Sequence, residues 1–138
     1  MRIRCAANTD NLADILNKTE IYAEKAGLSQ EQSLNLLLLT EELAANVINY
    51  AYESKDGGLE IETSADDFSV RLTVMDSGKE FNPLLIPDPD TAAPLQERKI
   101  GGLGIFLVKQ FADSISYRRE DGMNITSLIL KRDGAGNA

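Results

Sequence analysis

The fold class this sequence predicts is α+β: a two-layer α/β sandwich with a mixed, mostly antiparallel sheet and three helices on one face. Two observations predict it. Apolar and polar residues alternate over 59–63 and 69–75, the pattern of a half-buried antiparallel pair, whereas 29–52 repeats at helical spacing. The strands also fall in hairpins, with the helices gathered between them, in the order β-αα-ββ-flap-α-ββ. Residues 1–7 suggest a short first strand. Residues 9–26 read as a helix with Thr9 as N-cap and Gly27 just past its end. Ser29 and Gln32 form a capping box that opens a second helix running to about Tyr52. Lys55-Asp56-Gly57-Gly58 is a turn before the first hairpin. After Met75 regularity stops: all 4 prolines, Pro83, Pro87, Pro89 and Pro94, fall in one segment, which we read as a mobile lid over about 77–100. A third helix over 103–112 and strands over 114–119 and 124–131 follow, giving a single domain over 1–133 and a frayed tail over 134–138.

Composition excludes several chemistries. The chain has 138 residues, about the size of one domain, with 43% hydrophobic and 26% charged residues, as globular proteins do. Its net charge of −8 argues against a direct nucleic-acid partner. With 0 histidines, Ser-His-Asp catalysis, histidine metal sites and a histidine phosphoacceptor are all ruled out. The single Cys5 cannot form an internal disulfide and fits a reducing compartment. The opening MRIRCAANTDN lacks the apolar run of a secretory leader, and no stretch approaches the roughly 20 apolar residues of a membrane span. A cytoplasmic location without membrane contact is the expectation.

Three segments carry chemistry. On the second helix, Leu36, Thr40, Leu43, Ala44, Val47, Ile48 and Ala51 form the face that lies on the sheet. Glu42, Asn46 and Asn49 form a polar stripe on the other side, flanked by Leu38, Leu39 and Ala45. Asparagine is a poor helix-interior residue and here asks for a reason. An amide oxygen at Asn46 suits Mg²⁺, which takes one or two protein oxygens and completes its shell with phosphate and water. Glu42, one turn earlier, suits a general base, and Asn49 extends the stripe as a further nucleotide contact. At the end of the second alternating segment, Asp76-Ser77-Gly78 places a hydrogen-bond acceptor for an exocyclic amine such as adenine offers, with Gly78 permitting close backbone approach. Finally, Gly101-Gly102-Leu103-Gly104 leads into an apolar helix, where backbone N–H groups can meet phosphate oxygens. Arg98 and Lys99 stand just before it, placed to neutralise a γ-phosphate when the lid closes. Asn124 and Thr126 on the last hairpin are placed to support Asp76. Arg118, Arg119, Lys131 and Arg132 read as surface charge.

In this order, Glu42…Asn46, Asp76-Ser77-Gly78 and Gly102-Leu103-Gly104 resemble the N, G1 and G2 boxes of the GHKL (Bergerat-fold) ATPases, a superfamily that includes gyrase, heat-shock chaperones and histidine kinases. Within it, EELAANVINYAY and GGLGIFLVKQFAD are similar to the stand-alone serine/threonine kinases that act as anti-sigma factors in bacterial partner switching, over about residues 8–132. The resemblance implies a Bergerat ATP-binding fold, with ATP and Mg²⁺ as cofactors. It makes Glu42 the general base, Asn46 the Mg²⁺ ligand, Asp76 the adenine acceptor and Gly78 the close-approach glycine, with Gly102 and Gly104 bracketing the phosphate-binding helix start. It implies a STAS-domain anti-anti-sigma factor as phosphoacceptor and a sigma factor as the sequestered partner. Relatives dimerise through the sheet, so a homodimer is one expected state. Two positions depart from the family pattern: Glu80 stands where a second G1 glycine is common, and Asn49-Tyr50 where a basic residue or histidine is common. A nucleotide-governed switch without kinase activity is the alternative.

Overall fold

Along β3 (Ser69–Asp76) and β5 (Met123–Lys131) every second side chain is buried, as alternation requires of strands covered on one face. In the computed structural model, which describes residues 1–53, 57–88 and 100–132, these strands pair at the centre of a five-stranded sheet of order β1-β2-β3-β5-β4. β1 is Arg2–Ala6, β2 Gly58–Ala65 and β4 Ser114–Glu120. All four pairings are antiparallel, so the sheet is not mixed: each neighbour is reached by a hairpin or by a return through the helical layer. The β4–β5 hairpin turns through Asp121 (φ 51°) and Gly122 (φ 78°), the Asp-Gly pair that a two-residue turn with two positive φ angles favours.

Among the described residues there are three α-helices: α1 (Leu12–Lys25), α2 (Gln30–Asn46) and α3 (Ile100–Phe111). The capping box forms, Ser29 Oγ accepting from Gln32 N at 3.2 Å and Gln32 Oε1 from Ser29 N at 3.1 Å. Gly27 ends α1 at φ 74°, allowing Leu28 N–H to reach back to Ala23 O at 3.1 Å. Thr9 is not a cap. It opens a 3₁₀ turn, Thr9–Asn11, preceded by Asn8, and α1 begins only at Leu12. The side chain of Asn11 instead bonds Ala6 O at 2.8 Å, at the end of β1.

α2 is the middle helix, packed against both α1 and α3. Leu36, Thr40, Leu43, Ala44, Val47 and Ala51 are buried as expected, and Ile48 is half-buried. Leu39, a flank of the polar stripe, is fully buried as well. The α-helix does not continue to Tyr52. From Val47 to Ala51 the backbone makes a π-helical turn, and Tyr52 is extended. α3 begins at Ile100, before the expected start, so Gly101, Gly102 and Leu103 belong to its first turn. That turn contains the N–H groups for which a helix has no acceptor of its own.

Of the expected lid, residues 89–99 lie outside the described residues, and so does the tail over 134–138. Residues 77–88 are tied to the body of the domain. Lys79 N–H bonds Ala51 O at 3.0 Å and Phe81 N–H bonds Asn124 Oδ1 at 3.1 Å. Pro83–Leu85 form a 3₁₀ turn capped by Asn82, and Lys109 Nζ of α3 donates to Ile86 O at 2.7 Å.

Candidate nucleotide cleft

A cleft opens between α2 and the ends of β3 and β5. Its apolar walls are Leu43, Val47, Ala51, Val74 and Ile105, closed on one side by Phe81 and Pro83. Asn46, Tyr50, Asp76, Asn124 and Thr126 supply the polar groups.

Asp76 ends β3, 7% exposed. Its Oδ1 accepts two hydrogen bonds, from Gly78 N–H and from Asn124 Nδ2, both at 2.9 Å. No described residue bonds Oδ2. Asn124 is opposite Asp76 in the β3–β5 register, and its amide is fully used. Nδ2 also donates to Lys79 O at 2.7 Å, while Oδ1 accepts from Tyr117 OH at 2.5 Å and from Phe81 N–H. Arg119 adds a bond from Nη1 to Gly78 O at 2.9 Å. Gly78 is buried, and a Cβ there would collide with the Ala51 carbonyl, so only glycine fits the close approach. Thr126, across from Val74, is buried at the cleft wall.

Asn46 lines the same cleft, and its Nδ2 is buried without a hydrogen-bond partner. Amide oxygen and nitrogen exchange by a half-turn of the side chain, so the orphaned position is one where Oδ1 can equally sit. An amide left unpaired at the floor of a cleft fits a ligand oxygen for a hard cation. Glu42, one turn earlier, is half-buried beside Gly104 of α3, so close that a side chain at 104 would collide with its carboxylate. Burial pushes the Glu42 pKa up, and neighbouring Glu41 adds to the rise. Glu42 is beside the cleft and not among the residues lining it.

Thus Asn46, Asp76 and Thr126 line one cleft, with Gly78 behind Asp76 and bonded to it. Asn49 does not join them: it is exposed and Tyr50 lines the cleft instead. The π turn is the reason, because it closes i to i+5 and brings Tyr50 and Ala51 round beneath Asn46 and Val47. Gly101, Gly102, Leu103 and Gly104 lie in the first turns of α3, next to Glu42 through Gly104; Arg98 and Lys99 lie outside the described residues. Sequence reasoning missed Tyr117 and Arg119. Ile115, Tyr117 and Arg119 share one phase of β4, opposite Leu128, Thr126 and Asn124, and that alternation carried the signal.

The profile of the histidine kinase-like ATPase domain matches residues 5–130. Among curated proteins the chain is similar to the serine/threonine-protein kinase BtrW of Bordetella bronchiseptica, 26% identical over 116 residues that cover 83% of this chain and 82% of that protein. It is also similar to the serine-protein kinase RsbW of Halalkalibacterium halodurans, 23% identical over 120 residues, covering 83% and 74%. The RsbW of Listeria monocytogenes is 25% identical over 123 residues, covering 84% and 78%. Among solved structures it matches the RsbU and RsbW domains of Rv1364c from Mycobacterium tuberculosis with a TM-score of 0.63 at 12% identity, a likeness of fold that covers 96% of this chain and 32% of that one.

Proposed function

Because the chain belongs to the histidine kinase-like ATPase domain family, we propose that it binds ATP in this cleft and passes the γ-phosphoryl group to a serine or threonine of a STAS-domain anti-anti-sigma factor. In the same reading it is an anti-sigma factor that holds a sigma factor until the unphosphorylated antagonist displaces it. The similarity to proteins named serine-protein kinases supports the transfer. No helix of the described residues is long and apolar enough to cross a membrane, which is consistent with a cytoplasmic role.

The observation that carries the reading is the division of labour at Asp76: Oδ1 is saturated by two protein donors, and Oδ2 is left for an exocyclic amine. Adenine presents such an amine, while guanine presents a carbonyl oxygen at the corresponding place. Asn46 would hold Mg²⁺ through its side-chain oxygen, and the ion would offset charge on the phosphates. Glu42 orients the acceptor hydroxyl and takes its proton as the oxygen bonds the γ-phosphorus and the bond to the β,γ-bridging oxygen breaks, releasing ADP. A carboxyl pKa raised by burial suits a group that takes up a proton in the transfer.

Incubation with [γ-³²P]ATP and STAS-domain proteins from the same genome tests this. Label on an antagonist serine or threonine is expected; ATP binding with no antagonist labelled would refute the kinase. One observation favours a switch without transfer: the described residues lining the cleft include no lysine or arginine. Equal release of the sigma factor by ATP and a non-hydrolysable analogue, with no phosphoprotein, would select it.

A further inference from the structure

The end of the π turn grips the aspartate loop residue by residue. Tyr52 OH accepts the Ser77 N–H at 2.9 Å and donates to Gly58 O at 2.5 Å, with Ser77 Oγ at 3.4 Å. Ala51 O accepts the Lys79 N–H at 3.0 Å, and the Gly78 backbone between them is seated on the Ala51 carbonyl. The phenol ring lies against Gly57, where a Cβ would overlap it. Its oxygen sits between the start of β2 and the loop after β3.

Resting on the nucleotide-binding reading, we propose that Tyr52 is a positioning residue for base recognition, acting through the Ser77 amide to hold the Asp76 carboxylate in its orientation toward the cleft. The chain of contacts is short. Gly78 N–H must turn back to Asp76 Oδ1, two residues earlier, and Ser77 is the link that has to bend for it to do so. The Tyr52 hydroxyl is the acceptor that holds the Ser77 N–H in that bend. Without it, the Ser77 amide loses its protein partner, the bend that turns Gly78 N–H toward Asp76 loosens, and Asn124 carries more of the hold on the carboxylate. The carboxylate can then tilt out of line with the base edge, and the preference for an amine over a carbonyl there weakens. Tyr52 is not among the residues lining the cleft, so its hydroxyl acts on the ligand through the loop it bonds.

Tyr52→Phe tests this, because the ring stays against Gly57 and only the oxygen goes. Nucleotide affinities of wild type and variant are measured by calorimetry with ATP and with GTP, and exchange of the Ser77 amide is followed by NMR without nucleotide. We expect a protected Ser77 amide in the wild type and exchange roughly tenfold faster in the variant. ATP affinity should fall roughly five- to tenfold, as loss of one such bond implies, and the ATP-over-GTP preference should fall by a similar factor. A merely structural tyrosine would lower both affinities alike and leave the preference intact, which would overturn the proposal. So would a wild-type Ser77 amide exchanging as an unprotected one does, a result that does not depend on the variant folding. A wild type that binds neither nucleotide would refute the site as well; a wild type that discriminates no better than the variant refutes the positioning role alone.

Discussion

Asn124 Nδ2 donates to Asp76 Oδ1 at 2.9 Å, directly across the β3–β5 pairing, and this one bond joins the last strand to the recognition end of the cleft. The same amide also serves Lys79 O, Phe81 N–H and Tyr117 OH. Asn124→Ala leaves all of these buried or half-buried groups short of a partner. Unmet buried donors and acceptors cost about 1–3 kcal/mol each but not additively, so a loss of about 3 kcal/mol is expected in urea unfolding with an unchanged m-value. A loss below about 0.5 kcal/mol, the scale of an ordinary surface substitution, would mean that the hub is not formed in solution.

The two glycines of the site should respond differently to alanine. At Gly78 the added carbon meets the Ala51 carbonyl, which cannot move without unwinding the π turn, so Gly78→Ala should destabilise by about 2 kcal/mol or more and abolish nucleotide binding. At Gly104 it meets only the far end of Glu42. That side chain can swing aside, so Gly104→Ala should keep the fold and nucleotide binding while phosphoryl transfer falls roughly a hundredfold. In a double-mutant cycle with Glu42→Ala the two losses should not add, because both remove the same carboxylate from its place. Additive losses would mean that Gly104 acts on something else.

The elements whose signals are local were legible from sequence. Ser29 and Gln32 bond each other across three residues, and Gly27 needs only its own φ, so both could be read without knowing the fold. Alternation located β3 and β5 because one face of each is covered along its length. The residues of the site that escaped depend on partners distant in sequence. Arg119 reads as hairpin charge until its carbonyl partner, Gly78, is brought beside it. The π turn has no side-chain signature. A helical wheel carried straight through 47–51 therefore points Asn49 at the ligand, where the chain places Tyr50.

Glu42 should trade stability for chemistry. Its folded-state pKa is raised by burial and then by Glu41, so the folded protein holds that proton to higher pH than the unfolded chain does. Stability contributed by this group is therefore full below the ordinary carboxylate range and declines as pH rises through the raised value. Glu42→Gln removes the decline. Its melting temperature relative to wild type should climb as pH rises from about 4 and level off once the raised value is passed, while phosphoryl transfer drops roughly 10²–10⁴-fold and ATP still binds. A melting difference that stays flat with pH would show that Glu42 ionises as freely folded as unfolded.

Asn46 should show the same trade by a different route. Its Nδ2 is buried without a hydrogen-bond partner among the described residues, and asparagine is also a weak helix former at the last residue of α2. Asn46→Ala removes an unmet buried group and improves helix propensity, so the nucleotide-free domain should gain about 0.5–1 kcal/mol. Binding should move the other way. With Mg²⁺ present, ATP affinity should fall roughly tenfold or more, and with the cation chelated, wild type and variant should bind alike, since the lost oxygen acts only through the ion. Asn46→Asp keeps an oxygen at that place and should recover Mg²⁺-dependent binding. A variant whose ATP affinity is equally reduced with and without Mg²⁺ would assign Asn46 to the nucleotide itself and leave the cation to other ligands.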